Sequence, residues 1–254
     1  MLKKYKVSPR HCLGDTFLSL PFFSIMVHLC VNQYQKIMGN FFEQFWGTKL
    51  RTAAKAFEKN GFDVTICQTV DEARLQILQI IEQEQPKVVS MGDSMSLRKT
   101  GVLKDVMAME GINFINGFDK EKTREERMAL RREALMCDLF MTGVNAMTAK
   151  GQLVWLDMIG NRIAPVAFGP QTVVLVAGRN KLTPNLDEAM SRIRSYAAPL
   201  NAIKHTDFKT PCQATATCHD CSSPDRICNS WLIMEKSFPA KRVKLILVDE
   251  DLGL

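Results

Sequence analysis

From Phe41 onward, short apolar runs of strand-forming residues alternate with segments of helical period. A chain built that way folds as a largely parallel β-sheet with helices on its faces. Residues 41–59 carry an amphipathic helical pattern, and Gly61 stands where a helix-ending glycine belongs. Strands are expected at Phe62–Cys67, Lys87–Met91, Ile112–Ile115 and Asp138–Met141. Between them lie helices that open at Asp71, near Ser96 and at Thr123. The first buries Ala73, Ile77, Ile80 and Ile81 on one face and closes at Pro86; the last begins with the capping box Thr123-x-x-Glu126. Further on, strands are expected near Leu153–Leu156, at Thr172–Ala177 and at Val243–Val248. A helix capped by Asn185 should present Leu186, Ala189, Met190, Ile193 and Ala197 inward and stop at Pro199. No internal repeat and no low-complexity linker interrupts the pattern, so one α/β domain over residues 38–254 is the simplest reading.

The first 37 residues stand apart. Residues 1–37 hold Lys3, Lys4, Lys6, Arg10 and Lys36 against the single acid Asp15, so most of the chain's net charge of +6 sits there. The remaining residues, with 28 basic against 26 acidic, lack the basic face of a nucleic-acid binder. The run Leu18–Val31 is too short to span a bilayer, and Pro21 and His28 interrupt it. It has the length of a signal-peptide core, but no small-residue cleavage site follows. Residues 1–37 are therefore expected to be a dispensable extension upstream of a natural start at Met38. The protein is then expected in the cytoplasm, with neither nucleic acid nor membrane as a partner.

Four of the eight cysteines fall within seventeen residues: Cys212, Cys218, Cys221 and Cys228. Two intervening residues let Cys218 and Cys221 turn toward one centre, and the outer pair can fold in from either side. Four thiolates so placed suit tetrahedral zinc or an iron–sulfur cluster, with [4Fe–4S] favoured and zinc as the alternative. The spacing matches neither the bacterial nor the plant ferredoxin run. His219 can replace one sulfur. Cys67 and Cys137 sit in apolar runs and read as small buried hydrophobes.

Three polar loops follow expected strands: Met91 to Ser96, Thr142 to Gly151, and Asp157 to Arg162; the second also reads as an ordinary hairpin connection. Ser94 opens a helix and either caps it or faces an anion there. Asn145, Thr148 and Asn161 supply neutral donors and acceptors. Arg162 can hold a carboxylate or phosphate with both arms of its fork, or pair with Asp157. Loops at strand ends of one sheet are where a ligand crevice forms, so these six residues are expected to converge on an anionic small molecule. The chain contains no G-x-S-x-G, no Walker A sequence and no G-x-G-x-x-G. Nor does any histidine stand where acid–base chemistry would need it. No catalytic residue is assigned.

Taken together, Met141–Val154, Asp157–Arg162, Phe168–Pro170, Asn180–Leu182, Ala198–Ala202 and Cys218–Cys228 occur in order and resemble the lactate-utilisation (LUD) domain family. The likeness runs from about residue 41 to the end. It is nearest the smaller third protein of the bacterial lactate-utilisation system, in a stand-alone form with a C-terminal cysteine cluster. The resemblance implies a fold similar to that of glucosamine-phosphate deaminase, ribose-phosphate isomerase and the CoA-transferases, here with a cysteine-rich metal loop. It also implies an accessory or redox role in oxidising L-lactate to pyruvate, beside iron–sulfur partner proteins. A small-molecule enzyme or anion-binding protein on that fold is the alternative, although the glutamate nucleophile of CoA-transferases is missing from the three loops. A third reading makes the cysteines a structural zinc knuckle of a binding module. Trp155 and Met158 stand where the family leads one to expect a small polar residue and a glycine, and both are expected to add bulk beside the crevice.

Overall fold

The computed structural model describes residues 21–254, with side chains from Met38 onward except at Asn40. The expectations for residues 1–20 lie outside the described residues. Helix α1 spans Pro21–Lys59, so it begins well upstream of the expected start at Phe41. The described residues up to Phe45 and Trp46–Leu254 belong to two compact units. In the first, Phe41, Phe42 and Phe45 are exposed. The second carries every strand among the described residues. Among the described residues, no helix is long and apolar enough to cross a membrane.

The expected alternation is present. Strands β1 (Asp63–Cys67), β2 (Val88–Met91), β3 (Asn113–Ile115) and β4 (Leu139–Gly143) are joined through α2 (Val70–Glu84), α3 (Met95–Lys99), α4 (Val102–Ala108) and α5 (Arg124–Glu133). With β7 (Thr172–Gly178) and β10 (Val243–Val248) they form a six-stranded sheet in the order β1-β10-β7-β4-β2-β3. Every pairing in it is parallel. All seven residues of β7 are buried, because both faces of this central strand are covered. Val173, Leu175 and Ala177 pack with Leu50, Ala53, Ala54 and Phe57 of α1. Val174 and Val176 face the opposite way, onto Ala73, Ile77 and Ile80 of α2 and onto Leu97, Val102 and Val106. The Thr123 capping box forms as expected: the Thr123 hydroxyl accepts from the Glu126 amide and the Glu126 carboxylate from the Thr123 amide.

A second sheet contains the strand expected near Leu153–Leu156, but its other three strands are not legible in the sequence. It has four strands in the order β8-β5-β6-β9: β5 is Ala146–Thr148, β6 Leu153–Asp157, β8 Leu182–Thr183 and β9 Ser230–Met234. Part of what reads as one polar loop, Thr142 to Gly151, is therefore strand. Strands of two or three residues carry no usable alternation; their partners across the ladder define them. Met147, Leu153 and Trp155 of this sheet pack into the core shared with α1. Ala146, Val154 and Leu156 face Ala189 and Ile193 on the other side.

Pro199 does not end its helix. Helix α7 (Leu186–Arg192) widens into a π-helical turn at Ile193–Ala197 and continues as α8 (Ala198–Lys204), with Pro199 in its first turn. The reason is that the missing N–H costs nothing at a helix start, and the wide turn provides that start within a continuous rod.

Candidate functional site

The sequence places Gly92-Asp93-Ser94 directly after β2 and Gly143-Val144-Asn145 across the end of β4, and these parallel strands are neighbours. The two loops touch. A Cβ on Gly143 would collide with the Ser94 hydroxyl, and one on Gly92 would lie 2.8 Å from the Arg162 side chain. Both glycines therefore permit an approach that no other residue allows. Between the loops opens a cavity of about 230 Å³, to which Ser94, Asn145, Asp157, Asn161 and Arg162 all contribute. It lies outside the carboxyl ends of parallel strands, where ligands bind in open α/β sheets.

Thr148 does not join them. It is buried in β5, where its hydroxyl bonds Gln152 Oε1 at 3.1 Å and accepts from the Gln152 amide at 3.2 Å, closing the turn to β6. Pairing within the second sheet turns this residue away from the crevice. Trp155 also departs from expectation. It does not line the cavity; its indole is fully buried and donates to the Gly143 carbonyl at 2.8 Å, bracing the wall from behind. Met158 does line it.

Arg162 takes one of the two roles that the sequence allows, pairing with Asp157. Its Nε donates to Asp157 Oδ1 at 2.7 Å and its amide to Oδ2 at 3.1 Å, while Nη2 reaches Asn145 Oδ1 at 3.3 Å. Among the described residues Nη1 has no hydrogen-bond partner, so that corner of the fork remains open. Asp157 is only 4% exposed and Arg162 16%, so the pair is largely withdrawn from water. Ser94 resolves differently. Its hydroxyl accepts from the Leu97 amide at 3.1 Å and so caps α3.

The residue that sequence reasoning missed is Lys181. It follows β7 closely, lines the cavity and is 4% exposed. Its Nζ donates to Ser96 Oγ at 2.9 Å and to the Val144 carbonyl at 2.8 Å. No carboxylate among the described residues forms an ion pair with it. Burial first, then the nearby charges of Arg192 and Arg162, push its pKa down to about 7. A lysine just past the central strand, which is apolar after Thr172, with no acid near it in sequence, was the available signal. Arg131 also lines the cavity without a carboxylate partner among the described residues, its Nε donating to the Gly117 carbonyl. By contrast, Asp93 is engaged by Arg98 at 3.1 Å and Lys204 at 3.3 Å. Burial works to raise the Asp93 pKa, but these two cations hold it below the usual range. The cavity is therefore lined by several cationic side chains, and the two acidic side chains that line it are already committed.

The four clustered cysteines border a second, much smaller pocket of about 20 Å³, together with Pro199, His219 and Arg226. Cys212 is on the short helix α9 (Pro211–Thr215) and the other three are in the irregular segment before β9. All six described cysteines are unbridged. Burial lifts the thiol pKa of Cys67 to about 11 and that of Cys137 to about 12, as expected of inert core residues. Arg226 donates to the carbonyls of Cys221 and Cys228, and Arg226 and Arg194 both grip Asp220. Burial raises the Cys228 pKa while the two guanidinium groups work to lower it. His219 shares a hydrogen bond with Thr215 at 2.8 Å. Among the described residues, no three His, Cys, Asp or Glu side chains stand ready to hold a metal ion, so the expected metal loop is not formed in this arrangement.

A family model described as LUD domain matches residues 50–248 of the chain. A solved structure of a DUF162 family protein from Deinococcus radiodurans is similar over 80% of this chain and 98% of its own, with 13% identity and a TM-score of 0.47. A search of curated proteins finds no match.

Proposed function

The chain belongs to the LUD domain family, and from that premise we propose that it is an accessory or redox component of a lactate-utilisation system. In this reading it works in the cytoplasm beside iron–sulfur partner proteins where L-lactate is oxidised to pyruvate, and its cavity takes an anionic small molecule. The observation that carries the reading is the cationic cavity at the strand ends. Lys181 and Arg131 have no carboxylate partner there among the described residues, and Arg162 keeps one corner of its fork open. No glutamate lines it, which disfavours CoA-transferase chemistry. The reading includes a fold of the deaminase, isomerase and CoA-transferase type, for which the parallel sheet flanked by helices is the support. Deleting the gene in its host should stop growth on L-lactate while sparing growth on pyruvate, and a copy carrying Arg162→Ala should fail to restore it. Unimpaired growth of the deletion strain on L-lactate overturns the reading.

The cysteine segment supports the redox half. Four sulfurs border one pocket beside two guanidinium groups, a donor set whose chemistry suits a thiolate-bound centre. Cys212, Cys218, Cys221 and Cys228 would hold it, and a [4Fe–4S] cluster there would carry an electron, whereas zinc would only brace the loop. Anaerobically purified protein should show a broad visible absorption band. Cys218→Ala and Cys221→Ala should each lose the metal and some stability with it. A colourless, zinc-containing protein favours the structural alternative, and full metal content in both variants removes the site altogether.

A further inference from the structure

The Lys181 amine has a particular valence count. It sits 4% exposed on the cavity wall, held by Ser96 Oγ and the Val144 carbonyl. Ser96 spends its own proton on the Leu252 carbonyl at 3.2 Å, so toward Lys181 it acts only as an acceptor. The Val144 carbonyl has no proton to give. A neutral amine donates its two hydrogens to those two acceptors and keeps one lone pair. An ammonium ion in the same place would carry a third N–H for which the described residues offer no acceptor, beside Arg162 and Arg192 and with no ion pair among the described residues to offset the charge. The local structure therefore favours a nucleophile. A lysine stripped of water next to other cations is an established way to arm an amine.

We propose that Lys181 forms a reversible imine with the carbonyl of a small 2-oxo acid whose carboxylate is held by the cavity's guanidinium groups. The cavity of about 230 Å³ is smaller than the ~300–1,000 Å³ typical of drug-sized sites, which suits a small acid. Nζ adds its lone pair to the carbonyl carbon, forming a C–N bond, and the C=O π pair moves to oxygen. That oxygen takes one proton from nitrogen to give a carbinolamine. The hydroxyl then leaves with the second nitrogen proton as water while the nitrogen pair closes the C=N bond. Nothing is oxidised or reduced, and no co-reactant is required. Arg131 and the open corner of Arg162 are the cations available to the carboxylate.

The proposal rests on the anion-binding reading of the cavity, and one experiment separates the two. The full chain is incubated with pyruvate, treated with sodium borohydride and analysed by intact mass and peptide mapping. In parallel, its melting temperature is measured with pyruvate and with L-lactate, which has no carbonyl. The expected result is a mass gain equal to pyruvate less water plus two hydrogens, on the peptide carrying Lys181. The gain should be absent from Lys181→Met and Lys181→Arg variants whose circular dichroism matches the wild type. Adduct spread over surface lysines and equal in the variants overturns the imine. Thermal stabilisation by both acids with no adduct also overturns it but leaves the anion site standing. No stabilisation and no adduct removes both.

Discussion

Between pH 7 and pH 10 the wild-type protein should gain stability relative to a Lys181→Met variant, by on the order of 3 to 5 kcal/mol over the full range. The sign follows from where the proton resides. Unfolded, Lys181 titrates near its ordinary value of 10.5; folded, it titrates at about 7. Below pH 7 both states hold the proton, and the cost of burying the cation is fully present and constant. Between the two values the unfolded chain binds a proton that the folded chain does not, so raising the pH favours folding. Above 10.5 neither state is charged and the dependence stops. A tenfold difference in proton affinity between the folded and unfolded states is worth about 1.36 kcal/mol. The methionine variant has no such group, and all other titrations are shared, so the difference between two urea-unfolding series isolates this lysine. Parallel pH profiles would mean that Lys181 stays charged in the fold, and the imine proposal would fall with its premise.

Asp157→Ala should cost about 3 kcal/mol, because it strands a guanidinium group that is mostly out of water. Asp157 accepts from both the Nε and the amide of Arg162, and its own 4% exposure leaves little room for water to replace it. A fall in the urea midpoint at unchanged slope would report the loss. Adding Arg162→Met to Asp157→Ala should recover much of it, since the second change removes the uncompensated charge. Simple addition of the two costs would show that the residues do not act as a pair. The single variant should also lose anion-induced stabilisation, because Asp157 and Asn145 together aim the Arg162 fork.

The two predictions differ in how far the sequence alone reaches. Asp157 and Arg162 lie five residues apart across a turn, so spacing alone suggests their pairing. Lys181 is held by Ser96, 85 residues away, and Val144, 37 away, and neither partner is marked in the sequence. The same contrast separates Ser94 from Thr148. The Ser94 cap is local, within three residues, and is one of the two roles its position allows. Thr148 escapes such reading because its orientation depends on β5 pairing with β6 and β8, and β5 and β8 are too short to announce themselves.

The sequence by itself determined the features that short-range physics controls. The alternation of apolar runs and helical periods specified a parallel α/β sheet with its core faces. The Thr123 box and Asn185 cap began their helices where expected, and three polar loops were assigned to strand ends. Those signals survive because periodicity, caps and turns depend on residues within a few positions of each other. Tertiary structure alone decided how the second sheet assembles, the withdrawal of Thr148 and Trp155 from the cavity, and the buried amine of Lys181, which has no ion pair among the described residues. Each depends on which distant groups are excluded from, or brought into, a few cubic ångströms. Burial and the absence of a counter-charge belong to the packed chain and to no single stretch of it.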